Sequence, residues 1–266
     1  MKPISVIIPS YKPGDYLFEC LNSLAAQTLE REQFEVWVVL NGCKEPFHSE
    51  ISTFLSTLPP DFDVHLLQTD TPGVSNARNL GMDAATGDFL CFIDDDDWVS
   101  QNFLEAMLAI AKKTVIVNAN ILTINPESGE TLTDILYNYE QFNGKEQTSL
   151  LRIRRILSSA CFKLIPRDII GNRRFNTRYA LGEDALFMAS LTDRIHSVRL
   201  TPPDVIYYRR ARTNSAARKR RSIYDRAKNC FSLYGSYLAI YCSNPFRYNL
   251  LFFLNRLAAV SKWWFR

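Results

Sequence analysis

Within the first hundred residues, four short apolar runs alternate with segments of helical period. The runs cover residues 4–8, 35–40, 63–68 and 88–93; Ile4-Ser-Val-Ile-Ile8 and Glu35-Val-Trp-Val-Val-Leu40 are typical. Rich in β-branched and aromatic residues, they read as buried strands. Between them, Leu17, Leu21, Leu24 and Ala25 recur at helical spacing after a capping Asp15, in a helix expected to reach about Gln27. A second helix is expected over 47–58, stopped by Pro59-Pro60, and a third from Gly73 to about Ala85, broken by Gly87. Strands and helices alternating at this pitch predict a mostly parallel sheet with helices on both faces, because parallel neighbours need a crossover long enough to hold a helix. Right-handed crossovers bring every strand end to one edge. Ser10-Tyr11, Asn41 and the residues after Ile93 are therefore expected to converge there, where open α/β sheets place their ligands.

Directly after Ile93 come four consecutive carboxylates, Asp94, Asp95, Asp96 and Asp97, ahead of Trp98. Two carboxylates about 5 Å apart repel by roughly 3 kcal/mol at an effective dielectric near 20, so the cluster calls for a counter-charge. A divalent cation supplies one; the alternative is a solvated acidic turn that caps the next helix. The charge of the whole chain is uneven. Residues 201–266 carry 13 Lys+Arg against 2 acids, whereas residues 1–200 carry 18 against 26. The N-terminal part suits a cation and the tail an anionic partner. Six scattered cysteines, none in a CxxC pair, fit reduced core residues of a cytoplasmic protein better than a disulfide framework. No leader is visible after Met1-Lys2-Pro3, and no apolar stretch approaches 18 residues.

Beyond Trp98 a helix is expected over about 101–113 and a strand over 114–123. Residues 125–148 read as a loop or hairpin around Pro126-Glu-Ser-Gly129, and 161–165 as a strand. Gly182 then precedes Glu183-Asp184 at a helix start, where acids also cap and offset the helix dipole. Short strands come next at 197–200 and 205–208, then a basic segment at 209–221 and two helices separated by Pro245. On the last helix Leu250, Phe253, Leu254 and Leu257 share a face punctuated by Arg247, Arg256, Lys262 and Arg266, with Trp263-Trp264-Phe265 at its end. That pattern suits a helix lying on an anionic membrane surface, or else one packed on the catalytic domain or a dimer seam. The run Arg218-Lys-Arg-Arg221 is not accompanied by a nucleic-acid-binding motif, and nucleic acid is not expected as a partner.

Val6-Ile-Ile-Pro-Ser-Tyr11, Gly73-Val-Ser-Asn-Ala-Arg-Asn-Leu-Gly81, Phe92-Ile-Asp-Asp-Asp-Asp-Trp98 and Gly182-Glu-Asp-Ala-Leu-Phe187 occur in that order. Together they resemble the motifs of family 2 glycosyltransferases, an inverting, nucleotide-sugar-dependent class of GT-A fold. The resemblance covers about residues 3–215. It implies a Rossmann-like α/β catalytic domain over 1–221, with a nucleotide-binding half at 1–100 and an acceptor half at 101–221, and a basic helical extension at 222–266. It implies Mn²⁺ or Mg²⁺ on a D-x-D element, with Asp96 the foremost ligand, Asp94 a ligand or ribose contact, and Asp97 sharing the metal or capping the next helix. Such an ion offsets charge developing on the leaving nucleoside diphosphate. Asp184, ahead of Glu183, is the implied base that takes the acceptor's proton. Pro9, Ser10, Tyr11, Asn41, Arg78, Asp94 and Asp95 are expected along the nucleotide sugar, with Arg209, Arg210 and Arg212 clamping its diphosphate.

One position departs from the family pattern. Many relatives carry Asp-Asp-Gly-Ser where this chain has Leu40-Asn-Gly-Cys43. An amide oxygen can accept from a uracil imide as a carboxylate does, so a UDP-sugar stays favoured with less support. The resemblance suggests addition of a single sugar to a glycan or lipid-linked acceptor in bacterial cell-surface polysaccharide synthesis, at the inner face of the plasma membrane; the Gln-x-x-Arg-Trp element of processive relatives is absent. Two rivals are a nucleotidyltransferase that makes sugar nucleotides, which the lack of a glycine-rich, lysine-bearing triphosphate loop opposes, and a non-catalytic nucleotide-sugar-binding adaptor, which the retained Asp184 opposes.

Overall fold

The computed structural model describes residues 2–132, 145–211 and 222–261. The first hundred residues form β1 (Ile4–Ser10), α1 (Tyr16–Ala25), β2 (Phe34–Asn41), α2 (Phe47–Leu55), β3 (Val64–Thr69), α3 (Val74–Ala84), β4 (Phe89–Phe92) and β5 (Trp98–Val99). After them come α4 (Phe103–Ala109), β6 (Val115–Asn118), β7 (Asn120–Ile124), β8 (Thr131–Leu132), β9 (Lys163–Pro166), α5 (Arg167–Ile170), α6 (Glu183–Ser190), β10 (Ser197–Leu200), β11 (Ile206–Arg210), α7 (Ile223–Ser243) and α8 (Leu250–Ser261).

A seven-stranded sheet in the order β10-β6-β9-β4-β1-β2-β3 forms the centre. It is parallel except for β9, which runs antiparallel between β4 and β6. β1 is buried along its whole length and pairs with β2 on one side and β4 on the other. Its continuous apolar run follows from that position, since both faces are covered. α3 lies close on β1 and β2 because Gly81 has no side chain: a Cβ there would stand 2.5 Å from Ile7 Cγ2. Strands from both sides of residue 100 share this sheet, so the expected nucleotide and acceptor halves are built on one continuous core.

A smaller sheet, β5-β11-β7-β8, sits beside it. The strand expected over 114–123 is in fact two strands in different sheets. Val115–Asn118 is buried at every position in the large sheet, whereas Asn120–Ile124 alternates buried and half-buried in the small one. The chain changes sheet at Ala119, and the switch from continuous to alternating burial is its mark. The hairpin expected after Asn125 appears as the β7–β8 pairing; of the remaining loop, residues 133–144 lie outside the described residues.

α7 packs against α8 and against α6. Tyr237 and Tyr241 of α7 meet Phe253 of α8. The face read from the spacing of the last helix is divided here, and Lys262, Trp263, Trp264, Phe265 and Arg266 lie outside the described residues. Phe253 and Arg256 are buried and Leu257 half-buried, while Leu250, Leu251 and Leu254 point outward. The partner helix draws Phe252, Phe253, Arg256 and Val260 inward, a demand that the spacing within α8 alone does not reveal. Tyr179 bonds Ser232 O at 2.8 Å and Ser236 Oγ at 2.7 Å, and Tyr248 donates to Ser190 O at 2.9 Å. The hairpin therefore grips both the segment leading into α6 and its C-terminal end. Among the described residues, no helix is long and apolar enough to cross a membrane.

Candidate active site

The ends of β1, β2 and β4 meet as the alternation predicts. Ser10 Oγ donates to Asp95 Oδ2 at 2.7 Å, tying β1 to the aspartate turn. Asn41 Nδ2 donates to Ser10 O at 2.7 Å, and Asn41 Oδ1 accepts from Gly73 N at 2.8 Å. The Asn41 amide thus links β1, β2 and the start of α3, and its oxygen already serves the chain's own backbone. Pro9 is buried within β1 opposite Val39. Tyr11, just past the strand, is 51% exposed and offers a ring at the sheet edge.

The four aspartates fan into different environments. Asp97 is buried; its carboxylate accepts from Tyr207 Oη at 2.7 Å and from Arg210 N at 2.8 Å. The Tyr207 hydroxyl also accepts from Asp94 N at 3.1 Å. Asp97 thereby fastens the small sheet to the aspartate turn. Burial, and then the charges of Asp94 and Asp96, push the Asp97 carboxyl well above its usual range. Asp94 and Asp96 are half-buried and face the edge.

Arg78 joins this turn to the second acidic pair. The residue is 3% exposed, held on the buried side of α3. Its Nη2 donates to Asp94 Oδ1 at 2.8 Å and its Nη1 to Asp184 Oδ1 at 2.6 Å, with Glu183 Oε1 at 3.7 Å. Its guanidinium lies 5.2 Å from the centre of the Phe175 ring. Burial opposes the charge on Arg78, but Asp184 and Asp94 outweigh that and hold the guanidinium firmly protonated.

Gly182 adopts a left-handed conformation (φ 87°) that starts α6, placing Glu183 and Asp184 in its first turn. Asp184 Oδ2 accepts from Ser159 Oγ and Ala160 N, both at 3.2 Å, so both of its oxygens are held. Glu183 differs. Burial first, and Asp184 second, push its carboxyl up to about 7, against the pull of Arg78.

The expected clamp arginines are otherwise engaged. Arg209 donates to Thr123 Oγ1 at 3.1 and 2.7 Å. Arg210 pairs with Glu19 of α1, donates to Asp96 O at 3.1 Å and stacks over Trp98. Arg212 lies outside the described residues. Tyr207, Ser159 and Glu19 are members of the site that motif reading passes over. The Tyr207-Tyr-Arg-Arg stretch draws notice for its arginines, yet Tyr207 is the residue that touches the aspartates.

The donor set fits a hard divalent cation. Asp94 and Asp96 offer half-exposed carboxylate oxygens beside a buried carboxylate that feels excess negative charge. Mg²⁺ or Mn²⁺ needs only one or two such groups when phosphate oxygens and water complete its shell. A tighter trio, Glu35, Asp63 and His65, brings its ligand atoms within 4.8 Å of one another. These groups are already satisfied by the chain: Glu35 accepts from Ser5 and Thr86, and Asp63 pairs with Lys2 and His65.

Comparison with known proteins now decides the family. Residues 5–173 match the model of the glycosyl transferase family 2. The chain belongs to that family. Within it, the putative glycosyltransferase EpsH of Bacillus subtilis is 27% identical over 65% of this chain and 49% of its own length. The minor teichoic acid biosynthesis protein GgaB of the same organism is 27% identical over 80% of this chain and 23% of its own. The chain thus spans half or less of the length of these curated relatives. Among solved structures, S. aureus TarS 1-349 in complex with UDP-GlcNAc superimposes with a TM-score of 0.72 at 22% identity, covering 90% of this chain and 67% of that one. The mannosyltransferase PcManGT from Pyrobaculum calidifontis, in complex with GDP-Man and Mn²⁺, gives 0.63 at 18% identity over 99% and 70%. These likenesses show a shared GT-A type fold, with its mostly parallel sheet and flanking helices.

Proposed function

We propose that the protein transfers one sugar from a nucleoside-diphosphate sugar, UDP-linked in the first instance, to a hydroxyl of a glycan or lipid-linked acceptor, with inversion at the anomeric carbon. The observation that carries this reading is Arg78, which contacts Asp94 of the aspartate turn and Asp184 of α6 at once. One arginine's width therefore separates carboxylates suited to the diphosphate side of a donor from a carboxylate suited to the acceptor side. Family membership and two neighbours solved with nucleotide sugars support the donor class.

In this reading Tyr11 packs against the nucleoside at the end of β1, and Asp94 and Asp96 would hold Mn²⁺ or Mg²⁺. Such an ion would supply countercharge for the leaving group. Asp184, oriented by Arg78, Ser159 and Ala160, takes the proton of the acceptor hydroxyl as that oxygen attacks the anomeric carbon and the nucleoside diphosphate departs. A positioned base of this kind contributes about 10²–10⁴-fold. The acceptor is read as membrane-borne, consistent with the basic C-terminal region.

The test is a panel of nucleotide sugars with Mn²⁺ and candidate acceptors, scored by release of nucleoside diphosphate. Asp184→Asn is expected to bind donor as the parent does while turning over about 10²–10⁴-fold more slowly. Donor binding without turnover on any acceptor would point to a binding adaptor instead, and inorganic diphosphate released from a nucleoside triphosphate to sugar-nucleotide synthesis.

A further inference from the structure

The C-terminal hairpin has two unlike sides. On α7, Cys230, Leu233 and Tyr237 are buried. On the opposite side, Tyr224, Lys228, Phe231, Gly235, Leu238 and Cys242 recur every three or four residues, and every one is exposed. At 1.5 Å per residue this stripe is about 27 Å long. It holds three large apolar side chains and a single charge, a lysine. The turn into α8 adds Phe246, which is 99% exposed, followed by the exposed Arg247. α8 adds Leu250, Leu251 and Leu254, each about half exposed or more.

A soluble surface seldom gathers this many large apolar side chains on one small element. Charge decides between the possible occupants. Residues 222–266 carry six Lys+Arg and one acid, Asp225, and that acid caps α7 with Ser222. Two copies meeting through this face would bring cations against cations. An anionic bilayer offers the complement, acyl chains for the apolar groups and lipid phosphates for Lys228 and Arg247.

We propose that the outer face of the α7–α8 hairpin, with Phe246 at its tip, seats the protein on an anionic membrane surface. The inference deepens the proposed transfer to a membrane-borne acceptor and rests on it for its purpose. The inner side of the same hairpin holds α6 through Tyr179 and Tyr248. Docking the outer side therefore sets Glu183 and Asp184 at a fixed height above the lipid, where an anchored acceptor presents its hydroxyl.

The test mixes the full chain with sedimenting vesicles of phosphatidylcholine alone, or with about one third phosphatidylglycerol. The protein is expected to pellet with the anionic vesicles, at least about tenfold more weakly with the neutral ones, and to be released by salt. Phe246→Glu with Leu251→Glu, and separately Lys228→Glu with Arg247→Glu, are expected to weaken binding about tenfold or more while thermal unfolding is unchanged. Wild-type protein left in the supernatant, or equal binding to both vesicle types, overturns the proposal. So does a stable dimer that Phe246→Glu with Leu251→Glu splits into monomers, which assigns the face to a second copy. Transfer to a soluble acceptor without vesicle binding sinks this inference alone; vesicle binding without turnover of any donor sinks the transfer reading and leaves the membrane face standing.

Discussion

The molecule holds two knots of carboxylate, at the end of β4 and at the start of α6, and they are neutralised in different ways. At α6 the counter-charge is built in: Asp184 has Arg78 on one oxygen and the Ser159 and Ala160 donors on the other. At β4 Asp97 is buried on Tyr207 and the Arg210 backbone, Asp95 is tied to Ser10 and Asp94 shares Arg78, while burial first and then the charges of Asp94 and Asp96 push the Asp97 carboxyl up. Residue types that look alike in sequence are thus prepared for different chemistry. A carboxylate with its donors in place is oriented, as a base must be. Carboxylates crowded closely enough to raise one another's hold on a proton favour a cation for the same reason.

Asp96→Ala puts the greatest strain on this contrast. Loss of the proposed metal ligand is expected to reduce Mn²⁺-dependent turnover by about 10³-fold or more, with the fold intact by circular dichroism. Turnover close to the parent's would sink the assignment of the cation to this turn.

Arg78→Met removes the residue that both knots share. It leaves Asp94 and Asp184 without the guanidinium that joins them, and buried pairs broken in this way cost about 3–5 kcal/mol. Asp94 is 41% exposed at its side chain, so water recovers part of that, and a loss near the lower limit is expected in urea unfolding. Added Mn²⁺ should restore some of it in the variant and little in the parent.

Glu183→Gln sharpens the comparison through pH. The folded-state carboxyl is raised from 4.5 to about 7. Between those values the native state keeps a proton that the unfolded chain releases, so stability falls as pH rises through this window and stays lower above it. Glutamine removes that dependence. The variant is expected to match the parent near pH 4.5 and to exceed it at pH 8 by at most about 3 kcal/mol, read as a higher melting temperature. A variant less stable than the parent at pH 8 would mean that Glu183 sits ionised and paired.

Tyr207→Phe tests the smallest element of the contrast. It deletes the hydroxyl between Asp94 N and Asp97 Oδ2 and leaves the buried Asp97 one donor short. A cost of about 1–3 kcal/mol is expected. Because the small sheet loses a fastening to the aspartate turn, the proposed metal site, Mn²⁺ affinity should fall as well.

The sequence by itself determined the sheet, the edge to which its strand ends run and the four motifs gathered there. These are local or periodic properties. An apolar run that ends in aspartates must be a buried strand opening onto a polar rim, and parallel alternation sends every such rim to the same side. Gly182 ahead of two acids likewise announces the start of α6.

Only the tertiary structure decided what each motif residue touches. Arg78 reads as a nucleotide contact along the chain, yet it lies buried between Asp94 and Asp184, residues 16 and 106 positions away. Asn41 reads as a base acceptor, yet its oxygen holds Gly73 N. Arg210 reads as a phosphate clamp and pairs with Glu19, 191 positions away. The 114–123 strand divides between two sheets, and α8 turns Phe253 and Arg256 inward, for the same reason. A side chain's partner depends on which elements pack beside it, and periodicity within one segment carries no record of its neighbours. The chain spells out its carboxylates in order; folding decides what each of them faces.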